Sequence, residues 1–288
     1  MSDISVIGLG DMGAAIARVL LNAGLDLTLW NRSAERCEAF HDTRAHIAGS
    51  VQSAIAASPT VIICISTHDY TLDLINSAQE QVRGRSIIEL STGDGPAATA
   101  LAERIAKLGG DSLFGMILAG PGQIGLQDTA FLMAGSQKSW QDAEPMIRTL
   151  APASDHIGTN EAHLADLFSA LSLPRQGAMF GMIYGAHFCE VAGVPLDVYV
   201  RQLPAAMRVA TSLYAKTVAD TIPSGDFSGS GSPLKIYQHA FRDGFASFKE
   251  RGANTELSDL LEDLIERGIK AGFGDEHLTA LIKVLRKG

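Results

Sequence analysis

The sequence predicts an α/β domain on a doubly wound, mostly parallel sheet, followed by a long interdomain helix and an all-α C-terminal domain. Three observations predict it. A glycine-rich turn sits between a strand-like run and a helix-period segment at the start of the chain. Apolar runs then alternate with helical segments as far as Gly158, and beyond that point the strand signals stop. Alternation of this kind builds parallel strands covered by helices on both faces, with ligands at the carboxyl ends of the strands. The boundaries read as 1–158 for the first domain, 159–193 for the helix and 194–288 for the helical domain.

The first apolar run, 4–7, leads into Gly8, Gly10 and Gly13 and then into a helix-period segment, Ala14, Ile16, Ala17, Leu20 and Leu21, closed by Gly24. In such a turn the first glycine allows the tight bend, the second lets backbone approach a pyrophosphate, and the third lets the helix pack on the strand. Gly8, Leu9, Gly10, Asp11, Met12 and Gly13 therefore predict a dinucleotide site of the Rossmann type. The second strand, 27–30, ends where the adenosine ribose would lie. A site that prefers NAD puts an acid there, whereas this chain offers Asn31, Arg32, Ser33 and, one turn on, Arg36. Donors and cations suit a 2′-phosphate, which predicts NADPH.

Further strands read at 61–65, 86–90, 113–117 and 130–134, between helices at 70–77, 97–108 and 139–150. Ile65, Ser66 and Thr67 close the third strand, and Ser91 and Thr92 close the fourth. By position they either line the cofactor groove or are plain polar loop residues.

From about Glu161 a periodic segment runs to Val191 and stops at Ala192-Gly-Val-Pro195, where glycine and proline favour a helix end. About thirty residues at 1.5 Å each make a rod of roughly 45 Å, longer than one small domain needs, so it is expected to bridge two domains or two subunits. Pro174 removes a ladder hydrogen bond and predicts a kink. Gly177, Gly181 and Gly185 clear one face for a close helix contact, another backbone or a ligand. Helices follow over 196–207 or beyond, 233–251, 255–271 and 275–286, and the Ser/Gly-rich stretch 223–233 predicts an exposed, mobile loop that could serve as a lid.

Composition excludes several classes. With 46% apolar residues the chain fills a real interior, and 288 residues suit two domains. A net charge of −9 opposes a phosphate backbone, and no basic stripe with interleaved aromatics offsets it, so nucleic acid is not an expected partner. Cys37, Cys64 and Cys189 are odd in number and widely spaced, and the eight histidines lack ligand spacing, so neither a disulfide framework nor a metal site is expected. The first strand begins without a basic or apolar leader, and the most apolar long segment is too short to span a bilayer. A soluble, cytoplasmic protein is expected.

Four segments together resemble the imine reductase and reductive aminase family, within the 6-phosphogluconate and β-hydroxyacid dehydrogenase superfamily. They are Gly8-Leu-Gly-Asp-Met-Gly13, Leu29-Trp-Asn-Arg-Ser33, Phe114-Gly-Met-Ile-Leu-Ala-Gly-Pro-Gly-Gln-Ile-Gly125, and Gly272-Phe-Gly274 before Leu281-Ile-Lys-Val-Leu-Arg286. The resemblance covers essentially the whole chain, and the third segment is the most diagnostic. It implies NADPH-dependent reduction of an imine or iminium to an amine, with amine formation from ketone plus amine as an extension. It also implies a homodimer with exchanged C-terminal helices, whose active site lies between the cofactor domain of one copy and the bundle of the other.

The hydroxyacid dehydrogenases of that superfamily use a lysine early on the bridging helix, and this chain has no lysine between Lys138 and Lys216. Imine reductases usually place an Asp or Tyr on the helix. Ungapped placement puts Phe168 there, which neither donates nor ionises. Asp166 is the nearest acid, but two helical positions rotate it by about 200° from Phe168. Ser172 lies one turn on, on the same face. Tyr184 and His187 follow beyond the proline, and Leu118, Ala119, Gly120, Tyr214, Tyr237 and His239 are candidates to line the substrate pocket. Two other readings stand beside imine reduction: a reductase of a small aldehyde or ketoacid, and a non-catalytic NADPH-binding protein.

Overall fold

The computed structural model describes residues 2–229 and 231–286. The chain divides into two compact units, Met1–Ser172 and Leu173–Gly288. In the first, eight strands among the described residues form one sheet: β1 (Ile4–Ile7), β2 (Leu27–Trp30), β3 (His46–Ile47), β4 (Thr60–Ile63), β5 (Ser86–Glu89), β6 (Asp111–Ile117), β7 (Phe131–Gly135) and β8 (Asp155–Gly158). Their order is β3-β2-β1-β4-β5-β6-β7-β8, parallel throughout except where β6 meets β7. The order reverses between β1 and β4, which is where a doubly wound sheet opens its ligand crevice.

Helices α1 (Asp11–Asn22), α2 (Val51–Ala57), α3 (His68–Ser77), α4 (Gly95–Lys107) and α5 (Gln137–Leu150) cover the sheet. Alternation of side chains along each strand splits the core in two. Ile4, Val6, Ile62 and Ile88 pack with Ile16 and Leu20 of α1 and Trp140 and Ile147 of α5 on one face. Ile7, Val61, Ile63 and Ile87 pack with Ile55, Ile75 and Leu101 on the other. Burial on both faces explains why apolar residues dominate these strands, and the buried Ser5 among them donates its hydroxyl to the Ala54 carbonyl at 2.6 Å. Side-chain caps set the helix starts: Ser50 for α2, Thr67 for α3, Asp94 for α4 and Ser136 for α5.

A 31-residue helix, α6 (Ala162–Ala192), follows, and the division between units falls within it. It runs on as helix through Pro174, so the expected kink does not divide it. Of the three spaced glycines, Gly185 alone meets a close neighbour: a Cβ there would lie 2.3 Å from the Tyr199 hydroxyl, while Gly177 and Gly181 face open space.

The second unit continues with α7 (Leu196–Arg208), α8 (Tyr214–Ser224), α9 (Leu234–Glu250) and α10 (Glu256–Gly268). The helix expected over 275–286 is shorter than its sequence pattern: His277 is extended, and only Leu278–Leu281 and Ile282–Leu285 turn helically. Most described residues of the stretch 223–233 are exposed, as expected of a loop, but Phe227 anchors it. α8 extends through Ser224, Gly225 caps it at φ 70°, and Phe227 is buried beside Leu234 and Ile265 with its carbonyl accepting from the His277 N–H. The segment is thus pinned at its middle, and Ser230 lies outside the described residues.

Candidate active site

The three glycines differ in the way the sequence demands. Gly8 stands at φ +94°, and a Cβ on it would lie 2.3 Å from the Cys64 carbonyl oxygen. A Cβ on Gly13 would lie 1.9 Å from the Gly8 carbonyl oxygen. On Gly10, by contrast, a Cβ would meet nothing within 4 Å. Two of the glycines hold the turn closed, and the third leaves bare backbone toward open space.

That space is a cavity of about 820 Å³ walled by the turn, Trp30, Asn31, Arg32 and Ser33 on one side and Ile65, Ser66 and Tyr70 on the other. No side chain caps the N-terminus of α1, so the first-turn N–H groups of Asp11, Met12 and Gly13 remain for an anion. Bare backbone at Gly10, open N–H groups and a cation at the ribose end fit a phosphorylated dinucleotide. Arg32 makes no ion pair among the described residues. Arg36 lies outside this wall and pairs loosely with Asp11, 3.7 Å away at the surface.

Asn31 and Leu9 act differently from a simple reader. The Asn31 Oδ1 accepts from the Leu9 N–H at 2.9 Å, and its Nδ2 donates to the Ser33 carbonyl at 3.0 Å. Its amide therefore ties the glycine turn to the reader loop, while the Leu9 side chain is buried in the core.

A second cavity, about 540 Å³, shares Met12, Cys64 and Ile65 with the first and opens over the carboxyl ends of β4, β5 and β6. Phe114, Met116, Ile117 and Leu164 make its walls largely apolar. Of the sequence candidates it contains Ser91, Thr92, Ala119 and Phe168 in addition to the shared Met12 and Ile65. Asp166 lines a different cavity with Asp94 and Glu103, as its helical phase requires. Ser91 reaches the wall with its hydroxyl already engaged by the Ile65 N–H at 3.1 Å, and the Thr67 side chain is spent capping α3. Leu118 pairs through its backbone with Ala130, and the Gly120 N–H donates to Gln123 Oε1. Ser172 is half-buried and lies outside this lining.

The remaining candidates belong to the second unit. The Tyr184 hydroxyl donates to Glu256 at 3.2 Å, and His187 Nε2 accepts from the Asn254 N–H at 3.5 Å. Tyr214 lines an apolar cavity beside Leu261 and Leu278, where burial, with a smaller contribution from Tyr237, pushes its hydroxyl up to about 12. Tyr237 stacks on Phe241, and His239 is exposed.

Sequence reasoning missed one polar cluster on the second cavity. His68, the first residue of α3, holds its Nδ1 3.0 Å from Oε1 of Glu89, the last residue of β5. Glu89 is fully buried; the same oxygen accepts from the Thr71 hydroxyl at 3.1 Å and the Ser91 N–H at 3.2 Å. The imidazole packs edge-on to Phe114 and against Gly93, where a Cβ would come within 2.1 Å of the ring. The available signal was Glu89 itself, a charge closing the apolar run Ser86-Ile-Ile-Glu-Leu90 in a strand that the parallel sheet buries on both faces.

Fold and groove together define the nucleotide-binding half of a nicotinamide-dependent oxidoreductase. Residues 3–158 match the model of the NAD binding domain of 6-phosphogluconate dehydrogenase, and residues 164–287 match the C-terminal domain of the NADPH-dependent reductive aminase-like proteins. The NADPH-dependent reductive aminase of Aspergillus oryzae is 25% identical over 290 residues, covering 99% of this chain and 97% of that protein. Among solved structures, an imine reductase from Pseudomonas sp. has a TM-score of 0.86 at 27% identity, with 99% of each chain covered. An imine reductase from Myxococcus stipitatus, in complex with NADP+, has a TM-score of 0.82 at 25% identity, covering 98% of this chain and 99% of its own. The chain belongs to the imine reductase and reductive aminase family of the 6-phosphogluconate dehydrogenase superfamily. Its cofactor is a nicotinamide dinucleotide, and the family description of its C-terminal half specifies the phosphorylated form.

Proposed function

We propose that this protein reduces imines or iminium ions to amines with NADPH, including imines formed from a ketone and an amine. The observation that carries the reading is the junction of the two cavities at Met12, Cys64 and Ile65: a dinucleotide groove opens directly into a mainly apolar chamber of substrate size. The turn and the open N–H groups of α1 hold the pyrophosphate, and Arg32 and Ser33 take the 2′-phosphate. Bound NADPH supplies a hydride to the imine carbon. The chain's own part is to exclude water from that carbon and to favour positive charge on the nitrogen, for which apolar walls around few polar groups are suited.

The test is a substrate panel. NADPH oxidation with cyclic imines, and little with glyoxylate or semialdehydes, is the expected result; the reverse preference would assign a ketoacid or aldehyde reductase. Tight NADPH binding with no turnover of any of them would favour a non-catalytic binding protein, the reading that Phe168 by itself suggests. Placing an acid where the family usually has one, Phe168→Asp, is expected to change kcat for cyclic imines by about tenfold or more. An unchanged rate and stereochemical outcome would put position 168 outside the reacting chamber.

The dimer is part of the same proposal. In the second unit Leu173, Ile183 and Leu213 are 77%, 64% and 67% exposed, a load of apolar surface that a free helical unit does not carry in water. Light scattering is expected to give about twice the 30.5 kDa chain mass. A monomer at micromolar concentration would remove the shared-site arrangement. The described cysteines are all free, which suits the reducing cytoplasm. Among the described residues no helix is long and apolar enough to cross a membrane.

A further inference from the structure

We propose that His68, held by Glu89, is the residue that gives the substrate nitrogen its proton, replacing the acid that the bridging helix lacks at position 168. The inference rests on the imine-reduction reading and adds a named donor to it. The 3.0 Å contact between His68 Nδ1 and Glu89 Oε1 requires a hydrogen between them. With Nδ1–H committed to the carboxylate, Nε2 is the position that alternates between donor and acceptor. Nε2 makes no hydrogen bond among the described residues and is not among the buried unpartnered atoms, so it reaches open space. The open space that His68 borders is the 540 Å³ chamber, shared with Phe168 and Ala119.

The support behind the ring is of the kind that fixes orientation. Glu89 is itself fixed by the Thr71 hydroxyl and the Ser91 N–H, its other oxygen has no hydrogen-bond partner among the described residues, and Phe114 and the bare backbone of Gly93 confine the imidazole from the sides. When the ring is protonated, Nε2 carries the proton that the step transfers, while Nδ1–H stays on the carboxylate. The other titratable groups on the chamber are poorer candidates. Burial, reinforced by the charge of Glu89, pushes the Cys64 thiol up to about 12. Asp94 is exposed and accepts from the Ala97 N–H as the cap of α4, and Glu161 lies outside the strand ends, before α6.

A hydride from NADPH forms the new C–H bond, the C=N π pair becomes a lone pair on nitrogen, and that pair takes the Nε2 proton. NADPH is oxidised to NADP+, the imine is reduced to the amine, and neutral His68 regains its proton from solvent.

The experiment compares 3,4-dihydroisoquinoline with its N-methyl iminium salt, which needs no proton, at a pH where the cyclic imine is largely neutral. His68→Gln is expected to slow the imine about 100-fold and the N-methyl iminium by less than about threefold. Glu89→Gln is expected to slow the imine selectively as well, by about tenfold. NADPH binding, followed by fluorescence, should be unchanged in both. Equal effects of His68→Gln on the two substrates, or none, would overturn the assignment while leaving imine reduction intact. If the wild type reduces neither compound, the functional reading fails, and this inference with it. A readout free of turnover covers variants that do not fold: in the wild-type protein with NADP+, the His68 Nε2 resonance should move when tetrahydroisoquinoline is added, and a stationary signal would reject contact with the amine.

Discussion

Gly13→Ala is expected to abolish tight NADPH binding and to lower the melting temperature. The added methyl would sit 1.9 Å from the Gly8 carbonyl oxygen, and backbone cannot turn aside as a side-chain tip can. Overpacking of this kind destabilises by about 1–3 kcal/mol, which for a unit of this size lowers Tm by about 2–12 °C. The larger effect falls on the ligand: moving α1 away from the turn withdraws two or more charge-assisted contacts of about 1.5–3 kcal/mol each, so Kd should rise about 100-fold or more. Gly10→Ala is the control. Its backbone, at φ −66° and ψ −176°, is open to alanine and nothing stands within 4 Å, so Tm should stay within about 1 °C while NADPH binding weakens about tenfold. Calorimetry and fluorescence titration of the two variants read both effects. Equal loss of Tm in both would mean that Gly10 also serves the fold.

Arg32→Ala should weaken NADPH by about 10- to 100-fold, the range for one lost hydrogen bond to a charged group, and change NADH by less than about threefold. Arg32 is exposed on the groove wall and has no ion-pair partner among the described residues, so its removal is expected to take away a ligand contact and to leave no orphaned carboxylate. Apparent constants for the two nucleotides, measured side by side, decide it. Equal effects would reject Arg32 as a phosphate reader. Arg36→Ala is expected to do less, since Arg36 stands off the wall and spends part of its charge on Asp11.

The sequence reveals the elements that burial writes into composition. β1, β2, β4 and β5 are sandwiched between helices, so apolar residues dominate them and each reads as a strand, although Ser5, Thr28 and Glu89 are buried among them. β3 and β8 sit at the two ends of the strand order, one only two residues long and the other Asp-His-Ile-Gly, and neither carries an apolar pattern to find. Helix α2 hides for a different reason: its start is a box of Ser50 and Ser53, without the glutamate that usually marks one.

The candidate site divides in the same way. The glycine turn is local, and local geometry can be read from spacing alone. His68 and Glu89 are 21 positions apart and meet only because β4 and β5 are neighbours with their ends in register, which no spacing rule reports. On α6, helical phase correctly separates Asp166 from Phe168, yet phase does not tell which cavity each side chain lines.

The double use of Asn31 bears on attempts to switch coenzyme preference. Because one amide fastens the Leu9 N–H on one side and the Ser33 carbonyl on the other, a substitution at Asn31 is expected to disturb the glycine turn together with the Arg32–Ser33 loop. An engineer wanting an NADH-driven biocatalyst would therefore retain Asn31 and randomise Arg32 and Ser33. Libraries that vary all three together would mix changes of preference with a disturbed turn.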